Sequence, residues 1–231
     1  MREPIAALIR NIPLFQDLSE EELRGISDLF RERKYSKHSI VFFEGDPGEE
    51  LFIIKSGTVK IYKIDNTKQI TLALFRSGDF FGEMSLMQKD GVRSAHAETL
   101  EPSVFYTLRR TTFNEFMVRT PSLCMRLLEM TMDRLRGANE QIHALTFLDV
   151  RTRILKAVFQ LSQEYGESET DKVLISIKLT HQEIANMVGT VRESVTKVLQ
   201  ELQDDRVISI RNKQITIENM DALKRKMTYI K

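Results

Sequence analysis

Residue types that build cross-links and metal centres are scarce in this sequence. Cys124 is the only cysteine, which excludes a disulfide within the chain and a zinc or iron–sulfur site built from the cysteines of one chain. The four histidines, His38, His96, His143 and His181, are scattered without the spacing of metal ligands. A cupin-type metalloenzyme needs histidines and carboxylates clustered on its strands, so this pattern disfavours a catalytic metal site and an enzyme.

Long apolar runs are also missing. No stretch of about 18 apolar residues occurs, so no transmembrane helix and no membrane partner is predicted. The apolar part of segment 1–13 is too short for a signal peptide, and we therefore expect a cytoplasmic location. The 231 residues, with 42% apolar and 29% charged side chains, predict an ordinary globular protein of two modest domains. A net charge of +1 means that any nucleic-acid surface has to be local.

Short β-type runs, separated by turns rich in glycine, aspartate and asparagine, occupy the chain from Tyr35 to Leu108. Many short strands at this spacing predict an antiparallel β-barrel or jelly roll. Residues 1–32 are predicted to form small flanking helices, one of which opens with a capping box at Ser19 and Glu22. The predicted strands are Ser39–Phe43, Leu51–Lys55, Thr58–Ile61, Gln69–Phe75, Ala95–Thr99 and Ser103–Leu108.

The longest helical pattern runs from Pro121 to Thr146. Leucine or isoleucine recurs every seven residues, and a second row of small or apolar residues lies three positions further on; the two rows are Leu128, Leu135 and Ile142, and Cys124, Thr131, Ala138 and Leu145. This narrow heptad seam predicts a helix that dimerises. We expect Met125, Leu127 and Met132 to form a separate flank that packs on the barrel. The alternative is one amphipathic helix packed entirely on its own domain.

Two short helices in close succession follow in the last third of the chain. Thr180 and Glu183 form a capping box at the start of the first helix, and Gly189 ends it. Thr190 and Glu193 predict a second capping box immediately afterwards, so the segment reads as a helix-turn-helix. Around this motif we predict a helix capped by Asp149, a polar loop at Tyr165–Asp171, a strand at Val173–Ile177, a hairpin wing formed by Val207–Ile210 and Gln214–Ile217, and a basic helix or tail at Asp221–Lys231.

The second helix of this motif carries residues suited to reading DNA. Arg192, Glu193, Thr196 and Lys197 share one exposed face, and arginine pairs well with guanine while glutamate accepts from cytosine. Glu193 has a rival role as the capping partner of Thr190. Phosphate contacts are expected from four polar or basic residues, of which the last two have a solvated turn as their alternative: His181, Gln182, Arg211 and Lys213.

A second group of polar residues lies between two predicted strands of the barrel. Gly82 precedes a short helix whose free N–H groups suit an anion, and Arg93 supplies a fork that fits a phosphate. Glu83 would accept from a sugar hydroxyl, and Ser94 adds a donor. Together these residues describe a pocket for a cyclic nucleotide. A turn with a surface ion pair between Glu83 and Arg93 is an equally weighted alternative.

The arrangement resembles a known family. The Gly-Glu to Arg-Ser spacing is similar to the phosphate-binding cassette of the cyclic-nucleotide-binding domain, in the form found in the Crp/Fnr superfamily of transcription regulators. The similarity extends, in the same order, through Phe147–Val150, Gln182–Ile184 and Gly189–Lys197. It implies an α+β chain with three parts: a cyclic-nucleotide-binding-like effector domain at 1–120, a dimerisation helix at 121–146 and a winged helix-turn-helix DNA-binding domain at 147–231.

The resemblance implies a homodimeric transcription regulator that binds a palindromic operator in double-stranded DNA and contacts RNA polymerase. Its effector site would comprise Gly82, Glu83, Met84, Ser85, Arg93, Ser94, Ala138 and Asn139. Arg93 would be the counter-charge of the phosphate, and Glu83 would bind the ribose 2′-hydroxyl. The DNA surface would comprise Thr180, His181, Gln182, Thr190, Arg192, Glu193, Ser194, Thr196, Lys197, Arg211 and Lys213, and the resemblance favours base reading by Glu193.

The sequence departs from the family pattern at one pair of positions. Ala138-Asn139 stands where members that respond to cyclic AMP carry Thr-Ser, and Ala138 offers no hydrogen bond to a base. The effector is therefore cyclic AMP, another nucleotide, or nothing, in which case the pocket is vestigial. No iron–sulfur cluster is expected, because Cys124 is the only cysteine, and no haem is expected, because no histidine is placed recognisably as its ligand. A cyclic-nucleotide-binding regulatory subunit is the remote alternative, disfavoured by Arg192 and Glu193.

Overall fold

Two antiparallel sheets pack face to face in the first half of the chain. The computed structural model describes residues 5–169 and 171–228. Two compact units are present: the first contains the described residues up to Asp65 together with Leu72–Gly137, and the second contains Asn66–Thr71 and the chain from Ala138 onward. The α+β class is confirmed. The domain boundaries at residues 120 and 146 remain a prediction. The two units divide between Gly137 and Ala138, inside the continuous helix Pro121–Phe147.

The first sheet has the strand order β1-β8-β3-β6 and the second the order β2-β7-β4-β5. The strands of this unit are β1 (Arg31–Tyr35), β2 (Ile40–Phe42), β3 (Glu50–Ser56), β4 (Val59–Asp65), β5 (Lys68–Phe75), β6 (Phe80–Phe81), β7 (His96–Thr99) and β8 (Ser103–Arg109). Apolar side chains from both sheets form one core between them, in which Phe52 stacks on Phe81 with ring centroids 5.0 Å apart. All six predicted strands are confirmed, and no end differs by more than four residues from its predicted position.

Strands β1 and β6 were not predicted from the sequence, and the helical region predicted for residues 1–32 ends earlier than expected. The segment 31–35 extends into the region expected to be helical up to residue 32, yet it pairs in register with β8 from Arg31 to Tyr35. Four of its five residues are exposed, so the alternation of apolar and polar side chains that identifies a strand is missing. Backbone hydrogen bonding at the edge of the sheet decides its conformation. β6 is only two residues long and too short to show a period.

Small helices cover the outer face of the first sheet. They are α1 (Ile5–Arg10), a 3₁₀ turn at Pro13–Phe15, α2 (Glu20–Ser27), α3 (Glu83–Met87) and α4 (Arg110–Arg119). The capping box of α2 is confirmed, because Ser19 accepts from the Glu22 N–H while the Glu22 carboxylate accepts from the Ser19 N–H. Phe15, Ile26 and Phe113 are fully buried in the core that these helices share with β3 and β8.

The long helix α5 (Pro121–Phe147) begins on this same core. Leu123 and Leu127 are buried in it, and Met130 packs against its edge. One turn further on, Arg134 donates to the Glu83 carboxylate at 2.8 Å and to the Phe80 carbonyl at 2.6 Å. The predicted flank was right for Leu127 but wrong for Met125 and Met132, which are 60% and 48% exposed. The buried stripe is therefore rotated around the helix relative to the one predicted.

The predicted heptad seam lies outside that stripe. Leu128, Leu135 and Ile142 are 49%, 53% and 61% exposed in the single chain. A Cβ atom added to Gly137 would meet no other atom within 4 Å among the described residues, so close packing in this chain does not explain that glycine. The seam is an apolar row that no described residue covers, and the neighbouring face of the same helix packs on the barrel.

The second unit is a winged helix domain. Its elements are α6 (Val150–Glu164), β9 (Gly166–Glu169), β10 (Lys172–Ile175), α7 (His181–Val188), α8 (Arg192–Asp204), β11 (Ile208–Arg211), β12 (Gln214–Ile217) and α9 (Met220–Thr228). The Asp149 cap of α6 is confirmed, with its carboxylate 2.9 Å from the Thr152 N–H. The wing is confirmed as the β11–β12 pair, and the basic C-terminal helix is confirmed as far as Thr228. Residues 229–231 lie outside the described residues.

The predicted loop at Tyr165–Asp171 was wrong. Residues Gly166–Glu169 form a strand that pairs with β10, at the end of a sheet with the order β11-β12-β10-β9. Its sequence, Gly-Glu-Ser-Glu, has no apolar alternation, so only pairing with its neighbour indicates a strand. Gly166 is required by close packing, since a Cβ atom there would collide with the Ser162 carbonyl oxygen. Thr170 lies outside the described residues.

The contact between Arg134 and Glu83 leads to a prediction about stability. Glu83 is 8% exposed, so Arg134→Met leaves a buried carboxylate without its main partner. We expect the free energy of unfolding of the first unit to fall by about 1–3 kcal/mol, measured by urea denaturation of the full chain. Arg136→Met is the matched control, because the Arg136 side chain is 74% exposed and its loss should change stability by less than about 0.5 kcal/mol. An equal effect of both changes would contradict the assigned role of Arg134.

Candidate functional site

The predicted phosphate cassette is built where β6 turns into α3. Gly82 lies between them with φ at 84°, a left-handed conformation that favours glycine. A Cβ atom at this position would lie 2.5 Å from Arg93 Nη1. Gly82 is therefore required both by the backbone conformation and by the arginine that packs against it.

Arg93 is the centre of the cassette and is only 4% exposed. Its Nη1 donates to the Gly82 carbonyl at 2.8 Å and to Ser85 Oγ at 2.9 Å, and its Nη2 donates to the Glu50 carbonyl at 2.7 Å. The guanidinium carbon lies 4.3 Å from the centre of the Phe42 ring. Burial lowers the pKa of Arg93, opposed by the nearby carboxylates of Glu50 and Glu83.

This buried cation lacks a direct counter-ion. Within residues 5–169 and 171–228, no carboxylate oxygen lies within 4.0 Å of an Arg93 nitrogen, and Nε has no hydrogen-bond partner. Carbonyl and hydroxyl oxygens satisfy part of its hydrogen-bonding capacity but carry no full negative charge. The arrangement is chemically suited to a small anion, which would supply the missing charge.

Glu83 pairs with a different arginine from the one considered in the sequence. Its Oε1 atom lies 2.8 Å from Arg134 Nη1, so the alternative of a surface ion pair between Glu83 and Arg93 was wrong. The sequence reasoning missed Arg134 because the residue lies 51 positions away on α5. A signal was available: Arg134 continues the stripe of Leu123 and Leu127 at helical spacing, and an arginine on a buried stripe requires a partner.

The other three cassette residues differ in exposure. Ser85 is buried and donates to the Gly82 carbonyl at 3.0 Å while it accepts from Arg93. Ser94 and Met84 are exposed, with the Ser94 hydroxyl 3.7 Å from Met84 Sδ. The structure thus brings together all six cassette residues predicted from the sequence. Ala138 and Asn139 are exposed on α5 in the second unit, and their role in the effector site remains a prediction.

The first helix of the helix-turn-helix begins as predicted. Thr180 caps α7, and its N–H and hydroxyl both bond the Glu183 carboxylate, at 2.6 and 2.8 Å. Gly189 ends α7 in a left-handed conformation with φ at 64°. The hydroxyl of Thr180 is consequently engaged inside the protein, which leaves His181 and Gln182 as the more accessible predicted contacts at this helix end.

The second capping box was wrong. α8 starts at Arg192 with Val191 in the cap position and without a side-chain cap. Thr190 still belongs to the turn, because its N–H donates to the Ala185 carbonyl at 3.0 Å. The turn between the helices therefore overrides the local preference of the Thr-x-x-Glu sequence. Glu193 is exposed and released from its rival capping role.

The predicted face of α8 is exposed as expected. Arg192, Glu193, Thr196 and Lys197 are exposed and Ser194 is half-buried, whereas Val195, Val198 and Leu199 are buried. His181 Nδ1 lies 2.8 Å from Thr196 Oγ1, which ties the start of α7 to α8. Burial and, less strongly, the charge of Arg192 lower the pKa of His181.

The wing presents its basic residues at a tight turn. Arg211 and Lys213 are exposed on either side of Asn212. Asn212 and Lys213 have positive φ angles of 51° and 65°, as a two-residue hairpin turn requires. The Lys213 carbonyl accepts from the Leu179 N–H at 3.1 Å, so the turn is held beside the start of the helix-turn-helix.

The described part of the chain offers neither a metal centre nor a membrane span. No group of three or more histidine, cysteine, aspartate or glutamate residues is placed to hold a metal ion there. No described helix has the length and apolar character to cross a membrane. The polar constellations are therefore the cassette around Arg93 and the helix-turn-helix surface.

Both parts of the chain match known protein families. Residues 32–120 match the cyclic nucleotide-binding domain family, and residues 152–226 match the Crp-like helix-turn-helix domain family. The cyclic AMP receptor protein of Thermus thermophilus is 30% identical over 203 residues, covering 87% of this chain and 90% of that protein. A CRP-like cAMP-activated global transcriptional regulator of Mycobacterium tuberculosis is 29% identical over 214 residues, covering 92% and 95% respectively.

A solved structure agrees with these sequence matches. The c-di-GMP-responsive global regulator of Xanthomonas campestris superposes with a TM-score of 0.74 and 25% identity, covering 86% of this chain and 99% of that one. The two domain families occur in the same order as the two constellations, and the similarity runs along nearly the whole chain. The chain therefore belongs to the Crp/Fnr family of transcription regulators.

Proposed function

We propose that this Crp/Fnr-type regulator is a homodimer controlled by a cyclic nucleotide whose phosphate binds at Arg93. The observation that carries the proposal is the burial of Arg93, at 4% exposure, without a carboxylate partner in the described chain. Removing a guanidinium from water is costly unless an opposite charge compensates for it. A phosphate bound beside Arg93 would supply that charge and accept from its unused N–H groups.

Glu83 supports a nucleotide rather than a free phosphate. A carboxylate beside a phosphate site would repel the ligand unless it had another task. Arg134 bonds Oε1 of Glu83 and partly neutralises it. The remaining acceptor capacity of Glu83 suits a ribose hydroxyl. The names of relatives include both cyclic AMP and cyclic di-GMP, so we carry over the chemical class of a cyclic nucleotide.

A second candidate is the same regulator acting without ligand. Two observations favour it: Arg93 already donates to the Gly82 and Glu50 carbonyls and to Ser85, and Ala138 has no polar side-chain atom for a base. In this alternative the hydrogen bonds to the carbonyl oxygens alone stabilise the buried Arg93. The regulator then needs no ligand, and its cellular concentration determines how much operator is bound. Ligand binding distinguishes the two candidates directly.

We assign DNA reading to the exposed face of α8. Arg192 and Glu193 stand at its first turn, where a recognition helix reaches base edges in the major groove. Thr196 and Lys197 extend the face by one turn, and His181, Gln182, Arg211 and Lys213 flank it for phosphate contacts. Thr190 and Ser194 complete the predicted surface at its margins.

The exposed apolar seam of α5 supports the proposal of a homodimer. Leu128, Leu135 and Ile142 form an apolar row about half exposed in the single chain, and the same row on a second copy would cover it. A two-fold dimer places two copies of α8 about 34–36 Å apart on a palindromic operator. RNA polymerase as a further partner, a cytoplasmic location and the absence of catalysis complete the proposal.

The effector proposal predicts calorimetric binding of a cyclic nucleotide. With cyclic AMP and cyclic GMP as the probes, we expect saturable heat from at least one and a loss of at least roughly tenfold in affinity for Arg93→Gln. Arg119→Gln, which removes an exposed arginine of α4, should bind like the unaltered protein. No heat from either nucleotide, together with tight operator binding by the ligand-free protein, would establish the second candidate instead.

The assignment of α8 predicts a specific loss of DNA affinity. After selection of a preferred operator from random-sequence DNA, Arg192→Ala should weaken binding by about 5- to 160-fold for each half-site, because one bidentate base contact contributes roughly 1–3 kcal/mol. Preference at one base pair of each half-site should relax at the same time. Gln200→Ala, an exposed change two turns further along α8, should leave affinity and preference unchanged. Unaltered affinity in Arg192→Ala would refute the assignment.

The dimer proposal predicts a change in sedimentation. Leu135→Glu places a charge in the apolar seam, and we expect it to convert a dimer into a monomer at micromolar concentration in analytical ultracentrifugation. Val118→Glu makes the same chemical change at a side chain on α4 that is 85% exposed, and it should remain dimeric. If the unaltered protein is itself monomeric, or Leu135→Glu stays dimeric, the seam is not the interface.

A further inference from the structure

The helix-turn-helix surface carries one titratable side chain whose proton position is fixed by a neighbour. His181 is the first residue of α7 and is half-buried. Its Nδ1 atom lies 2.8 Å from Thr196 Oγ1 on α8. In the described ranges no residue forms a hydrogen bond with its Nε2 atom. This second ring nitrogen is therefore available to a partner from outside the domain.

The Thr196 hydroxyl determines which ring nitrogen of His181 carries the proton. A hydroxyl has one proton and donates one hydrogen bond. Thr196 Oγ1 donates to the Arg192 carbonyl at 3.0 Å, a bond to the preceding turn that threonine commonly makes in helices. The same oxygen must then accept from His181, which requires the proton on Nδ1. In the neutral imidazole, Nε2 is consequently an acceptor without a proton.

An acceptor at Nε2 is unsuited to the phosphate contact proposed for His181. The phosphate oxygens of DNA accept hydrogen bonds, so the contact requires an N–H at Nε2. With the Nδ1 proton engaged by Thr196, the ring provides a second N–H only as the imidazolium, in which both nitrogens donate. The phosphate contact and the extra proton are therefore acquired together.

The surroundings of His181 favour the neutral ring before DNA binds. Burial and, less strongly, the charge of Arg192 lower the pKa of His181, and the positive end of the α7 dipole lies beside it. The Glu183 carboxylate on α7 accepts from the Thr180 N–H and hydroxyl. Among the described charged side chains on the elements around α7, only Arg192 shifts this pKa; the others are Arg153 on α6, Glu193 and Lys197 on α8, and Arg211 and Lys213 on the wing.

We infer that His181 takes up a proton when the domain binds its operator, so that each half-site is held by an imidazolium–phosphate contact. The inference rests on the proposed DNA surface of α8 and its flanks. A phosphate beside the ring raises the pKa of His181, typically by about 1–3 units, because an opposite charge favours the charged ring. The contact is fully present below the pKa of the free protein, and it is lost as the pH rises through the pKa of the bound state.

The test is operator affinity against pH, measured by fluorescence anisotropy of the full chain at constant salt on the selected operator. Between about pH 8.0 and 5.5 we expect affinity to rise at least about fivefold for each half-site, since the contact raises the pKa by about one unit or more. Calorimetry in two buffers of different ionisation enthalpy, near pH 6.5, should show proton uptake on binding. A flat pH profile of the unaltered protein would overturn the inference, whereas Arg192→Ala at fixed pH tests the reading helix separately.

Three variants assign the pH dependence to this side chain. His181→Arg supplies a permanent cation, so it should bind well at every pH with a flat profile. His181→Asn supplies no cation and should bind throughout as weakly as the unaltered protein does at high pH. His38→Asn is the control in the first unit, where the side chain is 56% exposed, and it should keep the full pH dependence. A pH dependence that survives in His181→Asn would refute the assignment.

The tautomer is open to direct measurement. A long-range proton–nitrogen NMR spectrum of the DNA-free chain near pH 8, well above the ordinary histidine pKa of about 6.5, should show the His181 ring protonated at Nδ1. The signal is identified by its absence from the spectrum of His181→Asn. A proton on Nε2 would mean that Thr196 donates to the ring instead of accepting from it. A neutral ring could then bind phosphate, and the inference would be wrong.

Discussion

The cassette depends on one buried guanidinium, that of Arg93, which holds its segments together through hydrogen bonds. Its Nη atoms join the Gly82 carbonyl and the Ser85 hydroxyl at the start of α3 to the Glu50 carbonyl on β3, so two separate segments meet at this side chain. The backbone of Arg93 is also hydrogen-bonded. Its carbonyl accepts from the Gly45 N–H at 2.9 Å, and its N–H donates to the Asp46 carbonyl at 2.8 Å. A cation held by these contacts, with no carboxylate of the described residues within 4.0 Å, is preorganised for an anion.

The same constraint explains why small residues surround the cassette. A Cβ atom on Gly48 would collide with Ser85, just as one on Gly82 would meet Arg93. Only glycine allows two loops to close on one arginine side chain at these distances. The cassette spacing is thus a consequence of packing a long basic side chain in a barrel corner, and the proposed chemistry uses the N–H groups that this packing leaves unused.

One face of the long helix packs on the barrel, and a second face is exposed. Leu123, Leu127 and Arg134 face the first unit, and the Arg134–Glu83 contact at 2.8 Å links the helix to the cassette. The heptad row about Leu135 is exposed. The two faces differ by roughly one residue around the helix, so both fit in a single amphipathic pattern. A change at the cassette can therefore act on the helix that carries the proposed dimer seam.

The sequence by itself determined the β-rich sandwich, the long helix, the helix-turn-helix with its wing, and the exposed face of α8, because apolar periodicity and capping residues act over a few neighbouring positions. The polar edge strands β1 and β9, the Arg134 partner of Glu83 and the start of α8 at Arg192 were decided only by the tertiary structure. Each of these depends on a contact with a distant segment or on a turn that overrides a local preference. That no carboxylate of the described residues pairs with Arg93 is likewise a property of three-dimensional packing, since local sequence does not reveal which charges a buried side chain will meet.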